Sequence, residues 1–472
     1  MDLLFIILAI TLPALLGRCW LGIFVPLDTP GRTALVWGNG LLIGLLVIPL
    51  LMRLLDAIGA PISFLPTAAL AAMLTGLAGL AYFRYGKYRQ TVKPAVNRLN
   101  ISPPWHRTLF ILLALLITVR FATLGLELLG RPLFPWDATM HWATKSRVWV
   151  EAASIIPFVE NTMWLQLEGK GVFTDHHPDY PITIPLLQVW MNSATGQWNE
   201  SLMNLPWLLC LLALGVAFYG QLRTSGTDSI TSIAFTYLLV SMPLLNTHVA
   251  LAGYADLFLG ACYCAAIMTF HNWTVTKQPW QAVLALIFAF SCPLIKNEGF
   301  YWLLTFSPAL IVVLMPKRRA SATLALLALA LLGLLILFPG DLAIAGHSLD
   351  SLNLHLRPDA VAGIAKSVWI HDSWHLFGYL LIFVLPLALI GKDSRASAYL
   401  GIGTALASAV GLFLVLFLFT GYAIGAIHFT AVGRISLHIV PSLLFLGALM
   451  WNEILRRQRL TALPEPESPA PS

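Results

Sequence analysis

The sequence predicts an all-α polytopic membrane protein, and three observations carry that reading. Of 472 residues, 58% are hydrophobic and only 11% are charged, with a mean hydropathy of +0.79. Soluble domains carry roughly 25% charge, so this chain is too poor in charge to clothe a water-facing surface. Apolar runs of about twenty residues recur along it, each long enough to cross a hydrocarbon core of roughly 30 Å.

Taken in order, the first apolar run, 2–24, lacks a basic leader and a small-residue cleavage site and reads as a retained helix. Runs follow at 33–55, 62–83 and 108–129, then a polar, aromatic, proline-marked loop at 130–201. Further runs lie at 203–222, 231–247, 254–272, 280–295, 299–315, 321–339, 374–391, 397–420 and 435–455. Together they predict about thirteen transmembrane helices. Basic residues set the expected orientation. Arg84, Lys87, Arg89, Lys93, Arg98 and Arg107 lie in one connection with no acid, which should be cytoplasmic. Alternation from there places Arg223, Lys277, Lys317-Arg318-Arg319, Lys392 with Arg395, and Arg456-Arg457-Gln458-Arg459 inside as well. The loop 130–201, a second loop at 341–373 and the amino terminus fall outside. Arg120 lies within its run and is expected to snorkel to the surface.

The net charge of +6 comes largely from these cytoplasmic anchors, which suit an anionic lipid surface and call for no nucleic acid. Cys19, Cys210, Cys262, Cys264 and Cys292 lie in or beside apolar runs without disulfide or zinc spacing, so they read as packing residues. The stretch Leu460 to Ser472, rich in proline and glutamate, reads as a disordered cytoplasmic end. The chain therefore divides into amino-terminal spans and a basic loop (1–107), a core (108–455) and a tail (456–472).

Candidate chemistry gathers outside. If Pro135 opens a helix, Asp137, His141 and Lys145 fall at i, i+4 and i+8 on one polar stripe, with Trp142 and Trp149 beside it. Such a helix would lie along the membrane surface with its tryptophans at the headgroups. Read conservatively, it is an interfacial helix with Asp137 near its start and Lys145 against lipid. Farther on, Asp175-His176-His177-Pro178-Asp179-Tyr180-Pro181 packs two acids and two histidines into a stiff turn. Those residue types can bind metals, yet adjacent histidines beside proline match no known ligand spacing. No metal ligand is assigned, and assistance by a divalent metal stays open. Asp256 in Gly253-Tyr254-Ala255-Asp256, Lys296 and Glu298 in Lys296-Asn297-Glu298-Gly299, and Arg434 all map to the same outer face. Ionisable groups at membrane depth are costly and mark function by default, although Lys296 with Glu298 also fits a structural ion pair. Carboxylates beside cations suit a nucleophile needing a base and a phosphate leaving group.

On these residues the chain resembles the integral-membrane glycosyltransferases of the GT-C fold. The likeness is to the bacterial branch related to protein O-mannosyltransferases and to transferases that decorate lipid A. The resemblance covers roughly 108–455. It rests on Trp136-Asp137-Ala138 with Trp142-Ala143-Thr144-Lys145, on His177-Pro178-Asp179-Tyr180-Pro181, on Gly253 to Asp256, on Lys296 to Gly299, and on a final helix with Arg434 and Pro441. Ala138 stands where protein mannosyltransferases carry a second acid, and three spans precede the usual core. The resemblance implies a GT-C-like bundle with a surface helix in its large outer loop. It further implies a polyprenyl-phosphate sugar donor and a glycolipid or glycan acceptor, in a bacterial cytoplasmic membrane. Asp137 would take the acceptor proton, Asp256 would orient acceptor or sugar, and Lys296 and Arg434 would meet the departing phosphate. His141, Lys145, His177, Asp179, Tyr180 and Glu298 would bind substrate. The alternatives are a polysaccharide polymerase or ligase, and a transporter or flippase of lipid-linked sugars.

Overall fold

The computed structural model describes residues 2–89, 104–337, 343–344, 347–348, 353–371, 373–389 and 396–461. Most of the basic connection expected to be cytoplasmic, and the tail beyond Thr461, lie outside these residues. The described chain is almost entirely helical. Before the outer loop come α1 (Asp2–Phe24), α2 (Arg32–Ala57), α3 (Phe64–Arg89) and α4 (Pro104–Leu129). The loop contains a π-helical turn (Ala138–Ala143), α5 (Thr144–Ala152), α6 (Asn161–Gln166), α7 (Thr183–Thr195) and two short parallel strands, β1 (Phe158–Val159) and β2 (Phe173–Thr174). Then follow α8 (Leu205–Thr224), α9 (Ser229–Val240), α10 (Pro243–Ala250), α11 (Asp256–Thr276), α12 (Pro279–Ile295), α13 (Gly299–Leu304), α14 (Phe306–Leu314) and α15 (Lys317–Leu337). The carboxy-terminal part holds α16 (Asp359–Ala365), α17 (Phe377–Leu389), α18 (Ala396–Phe419), α19 (Ala423–Ile427) and α20 (Val432–Thr461).

The protein is a multi-pass membrane protein, but the expected count of about thirteen spans is corrected. Among the described residues, seven helices are long and apolar enough to cross a membrane, or eight if α9 and α10, bent by 55° at their junction, form one broken span. The runs at 280–295 and 299–315 form shorter apolar helices, as does the described part of the run at 374–391; the ends of that run and of the run at 321–339 lie outside the described residues. The helix α17 has 13 residues, which at 1.5 Å per residue reach only about 20 Å. The run at 299–315 breaks at Thr305. Helix α11 is long enough, but Asp256, His271 and Asn272 dilute its apolarity, and nearly all of it is buried. A helix apolar around most of its circumference is either lipid-bound or a protein core, and run length alone cannot separate the two.

Helix α11 forms the centre, packed between α8, α12, α18 and α20. Small residues permit the closest approaches. A Cβ on Gly260 of α11 would lie 2.7 Å from the Leu437 carbonyl oxygen of α20, so these two helices meet almost backbone to backbone. Helix α4, by contrast, is barely covered, and Arg120 lies on its exposed side, away from the interior. Residues 359–370 of the second expected outer loop form α16 and a π-helical turn, Lys366–Ile370.

The loop 130–201 is fastened at its base and on its flank. Ser201 Oγ donates to the Arg131 carbonyl (2.7 Å) and Leu133 N–H donates to Glu200 (3.3 Å), closing its two ends. Ile155 N–H donates to Asp56 at the end of α2 (2.8 Å). Inside, buried Ser146 donates to Gln188 (2.7 Å), tying α5 to α7. A loop anchored this way can hold side chains in fixed positions against the helix bundle.

Candidate functional site

Asp137 precedes the π-helical turn, in the segment where a proline-started helix is expected. Helical φ/ψ does begin there, with Thr139 N–H donating to the Pro135 carbonyl (3.0 Å). The backbone then widens into a π turn, a rare form that often marks functional sites. Trp136 is 72% exposed, but Trp142 and Trp149 are buried in the core. The expected headgroup position of those two tryptophans is therefore corrected: they pack inward, where Trp149 Nε1 finds the Ile156 carbonyl at 2.8 Å. Lys145, also buried, is no lipid contact.

The polar side chains form two networks. In the first, Arg434 Nη1 donates to Asp137 Oδ2 (2.7 Å), while its Nε and Nη2 donate to Asp256 Oδ2 (3.3 and 3.2 Å). Asp256 Oδ1 accepts from Lys296 Nζ (2.9 Å) and His438 Nε2 (3.0 Å), and Lys296 also pairs with Glu298 Oε1 (2.9 Å). Trp302 Nε1 can only donate, and it points at His438 Nδ1 (3.1 Å). The histidine proton therefore sits on Nε2 and is donated to Asp256, which fixes the tautomer. Five residues expected on one outer face, spread over almost 300 positions, thus meet in one cluster.

Burial divides the cluster. Asp256 has 0% side-chain exposure and Lys296 5%, whereas Asp137, Arg434 and Glu298 are each about a third open, at 32%, 31% and 30%. Asp256 has no open face, and its two oxygens are taken up by Arg434, Lys296 and His438. It holds Arg434 and Lys296 in place behind the accessible groups. Gly253 explains the fit. Its φ of 115° is a backbone conformation that favours glycine, and any Cβ there would collide with the Ala138 Cβ. The Gly253-Tyr254-Ala255-Asp256 segment therefore presses directly on Trp136-Asp137-Ala138. Tyr254 lies under Arg434, 4.4 Å from guanidinium carbon to ring centroid, and its carbonyl accepts from Trp207 (2.7 Å).

The second network centres on Asp175. His141 Nδ1 lies 2.7 Å from Asp175 Oδ1 and Lys145 Nζ 2.6 Å from Oδ2, and Lys145 also donates to the His177 carbonyl (2.9 Å). The predicted stripe is thus shared: Asp137 serves the first network, His141 and Lys145 the second. Tyr180 is sandwiched between Trp142 and His177, with ring centroids 5.0 and 4.8 Å away. Burial first, then the Glu298 charge, pushes its phenol up to about 12, so Tyr180 remains a hydrogen-bond donor. His177 is pushed down by burial and by the neighbouring His141 and His176. Asp179 accepts from Asn297 (2.7 Å), which links this turn to the Lys296–Gly299 break.

Burial alone would raise the Asp175 carboxyl, but Lys145 and His141 outweigh it and hold it below the ordinary carboxylate range. A depressed carboxylate stabilises the fold above its unfolded value, and that contribution is lost as pH falls through the folded one. Thermal stability should therefore drop on acidification below about pH 4. Asp175→Asn should lose about 3–5 kcal/mol near neutral pH, because it strands the buried Lys145 charge. Unfolding scans across pH on both proteins check this; an unchanged melting point in Asp175→Asn would remove Asp175 as the anchor.

Sequence reasoning passed over Asp175 and His438 as site residues. Asp175 begins the His-His-Pro-Asp turn, and His438 stands four residues after Arg434 on α20, one turn along the same face. No group of three or more His, Cys, Asp or Glu that could hold a metal ion occurs among the described residues. The five cysteines are unpaired, and four of them are buried. Comparisons of the chain with protein-family profiles, with curated proteins and with solved structures return no match.

Proposed function

We propose that this protein is an integral-membrane glycosyltransferase of GT-C type. It would move a sugar from a polyprenyl-phosphate donor to an acceptor hydroxyl on a cell-envelope glycolipid or glycan. The observation that carries the reading is the half-open ion pair of Asp137 with Arg434. It sets a carboxylate able to take a proton beside a guanidinium able to meet a phosphate, at the base of the loop 130–201. In this reading Asp137 deprotonates the acceptor hydroxyl, the oxygen attacks the anomeric carbon, and Arg434 stabilises the departing phosphate, with the buried Lys296 charge behind it. Glu298 and Tyr180 flank the opening and would contact sugar hydroxyls. The loop lies on the extracytoplasmic face of a bacterial cytoplasmic membrane, following the basic connections.

An apolar cavity of about 600 Å³ supports a lipid-linked donor. Trp369, Trp374, Phe377, Leu381, Phe413 and Val440 are among its lining residues. Its α20 wall is made by Ser436, Ile439, Val440 and Leu443, which lie on a different face of the helix from Arg434 and His438.

One observation favours a second reading. Asp256, Lys296 and His438 are buried charged or polar groups within the helix bundle, as a transporter or flippase of lipid-linked sugars would have. Mass spectrometry of envelope glycolipids and glycans from a deletion strain separates the two. The transferase reading expects the loss of a single hexose or uronic acid unit from an otherwise complete product. Loss of a whole repeating chain, or no change, would overturn it.

A further inference from the structure

The His141–Asp175 pair has a geometry that binding alone does not require. Asp175 is held between His141 Nδ1 (2.7 Å) and Lys145 Nζ (2.6 Å), with side-chain exposures of 4% for Asp175 and 2% for Lys145. His141 itself is 13% exposed. A carboxylate paired with a buried ammonium stays ionised and accepts the Nδ1 proton, which leaves Nε2 as the ring nitrogen that can exchange a proton. This ring stands one helical turn beyond Asp137 on the same polar face. Around it lie the rings of His177 (4.9 Å) and Tyr180 (5.8 Å), with His176 against His177. Asp179 adds its charge near His177. Tyr180 keeps its own proton and does not compete for another one.

We propose that His141 is the proton outlet of the site, receiving from Asp137 the proton that the acceptor hydroxyl gives up and passing it to water. The proposal rests on the transfer reaction above and goes beyond it. The new bond joins the hydroxyl oxygen to the anomeric carbon, and the old carbon–oxygen bond leaves its electron pair on the phosphate. The hydroxyl proton goes to the Asp137 carboxylate. Asp137 must then shed that proton, because its ion pair with Arg434 re-forms only with an ionised carboxylate. His141 Nε2 takes it through one water, with the Asp175 carboxylate beside Nδ1 compensating the transient imidazolium and Lys145 holding that carboxylate in place. His141 is in this sense a positioned proton carrier, and Asp175 and Lys145 are its positioning residues.

The test uses full-length variants in the deletion strain, following by mass spectrometry how fast the missing glycan mass returns after induction. His141→Ala should slow that return about 100-fold, and imidazole added to the medium should restore much of the rate. His141→Asn, whose amide can still donate to Asp175, should reach wild-type membrane levels, be equally slow, and gain little from imidazole. If His141→Ala matches the wild type, or is slow and unmoved by imidazole, the relay is overturned. Should wild-type protein itself restore no single-sugar mass, the transfer reaction fails instead, and the two failures are distinct.

Discussion

Replacing Asp137 by asparagine should lower transfer by about two to four orders of magnitude, the usual worth of a positioned general base. The amide keeps the size of the side chain and can still accept one hydrogen bond from Arg434 through its oxygen. What it loses is the capacity to take a proton, so the loss should fall on turnover and leave donor affinity nearly unchanged. The fold should tolerate the change. Asp137 is 32% exposed, and Arg434 retains Asp256 as a second partner; an ion pair this open contributes about 1 kcal/mol or less. Purified variant and wild type, compared in single-turnover transfer assays and in thermal unfolding, provide the check. Asp137→Asn with more than half of wild-type turnover would mean that the proton goes elsewhere.

How much of this was legible in the sequence depended on what each residue's neighbours in space required. The membrane class was legible because composition alone excludes a water-facing surface. The number of spans was not, since α11, α12 and the α13–α14 pair read as apolar runs like the others, and only the structure shows that α11 is covered by other helices and that α12 and the α13–α14 pair are shorter. Burial by protein and burial by lipid select the same residues, so the sequence carries little to tell them apart. Asp137, Asp256, Lys296, Glu298 and Arg434 stood out because charge is rare here and each sits at the end of an apolar run. Their division into open and buried members was hidden. Asp256 becomes inaccessible only because Gly260 lets α20 lie against α11, bringing His438 and Arg434 onto it. In the same way, Trp142 and Trp149 read as interfacial on a helix considered alone, and are drawn inward by the stack with Tyr180 and by the Ile156 carbonyl. The role of Asp175 depends on two partners distant in sequence, His141 and Lys145.

Removing the Arg434 guanidinium should be nearly as damaging as removing the Asp137 carboxylate, and the pattern of variants identifies its role. Arg434 hydrogen-bonds both Asp137 and Asp256, and it does so through three donors in a planar fork. Lysine keeps the charge but has a single head, so it can satisfy one carboxylate at a time. Arg434→Ala should therefore lose about 100- to 1000-fold in turnover, the cost of deleting a donor aimed at developing charge, and Arg434→Lys should recover part of it. Stability should suffer less, because Asp256 keeps Lys296 and His438 when the guanidinium leaves. A guanidinium that merely clamps two carboxylates leads to different results. Activity would then track the melting temperature across Ala, Lys and wild type. If Arg434 meets the leaving phosphate while Asp137 takes the proton, both act in one step, and the double variant, Asp137→Asn with Arg434→Ala, should be little worse than the worse single. Turnover, affinity and unfolding measured on the three variants decide between these, and turnover losses that follow stability would assign Arg434 to the scaffold.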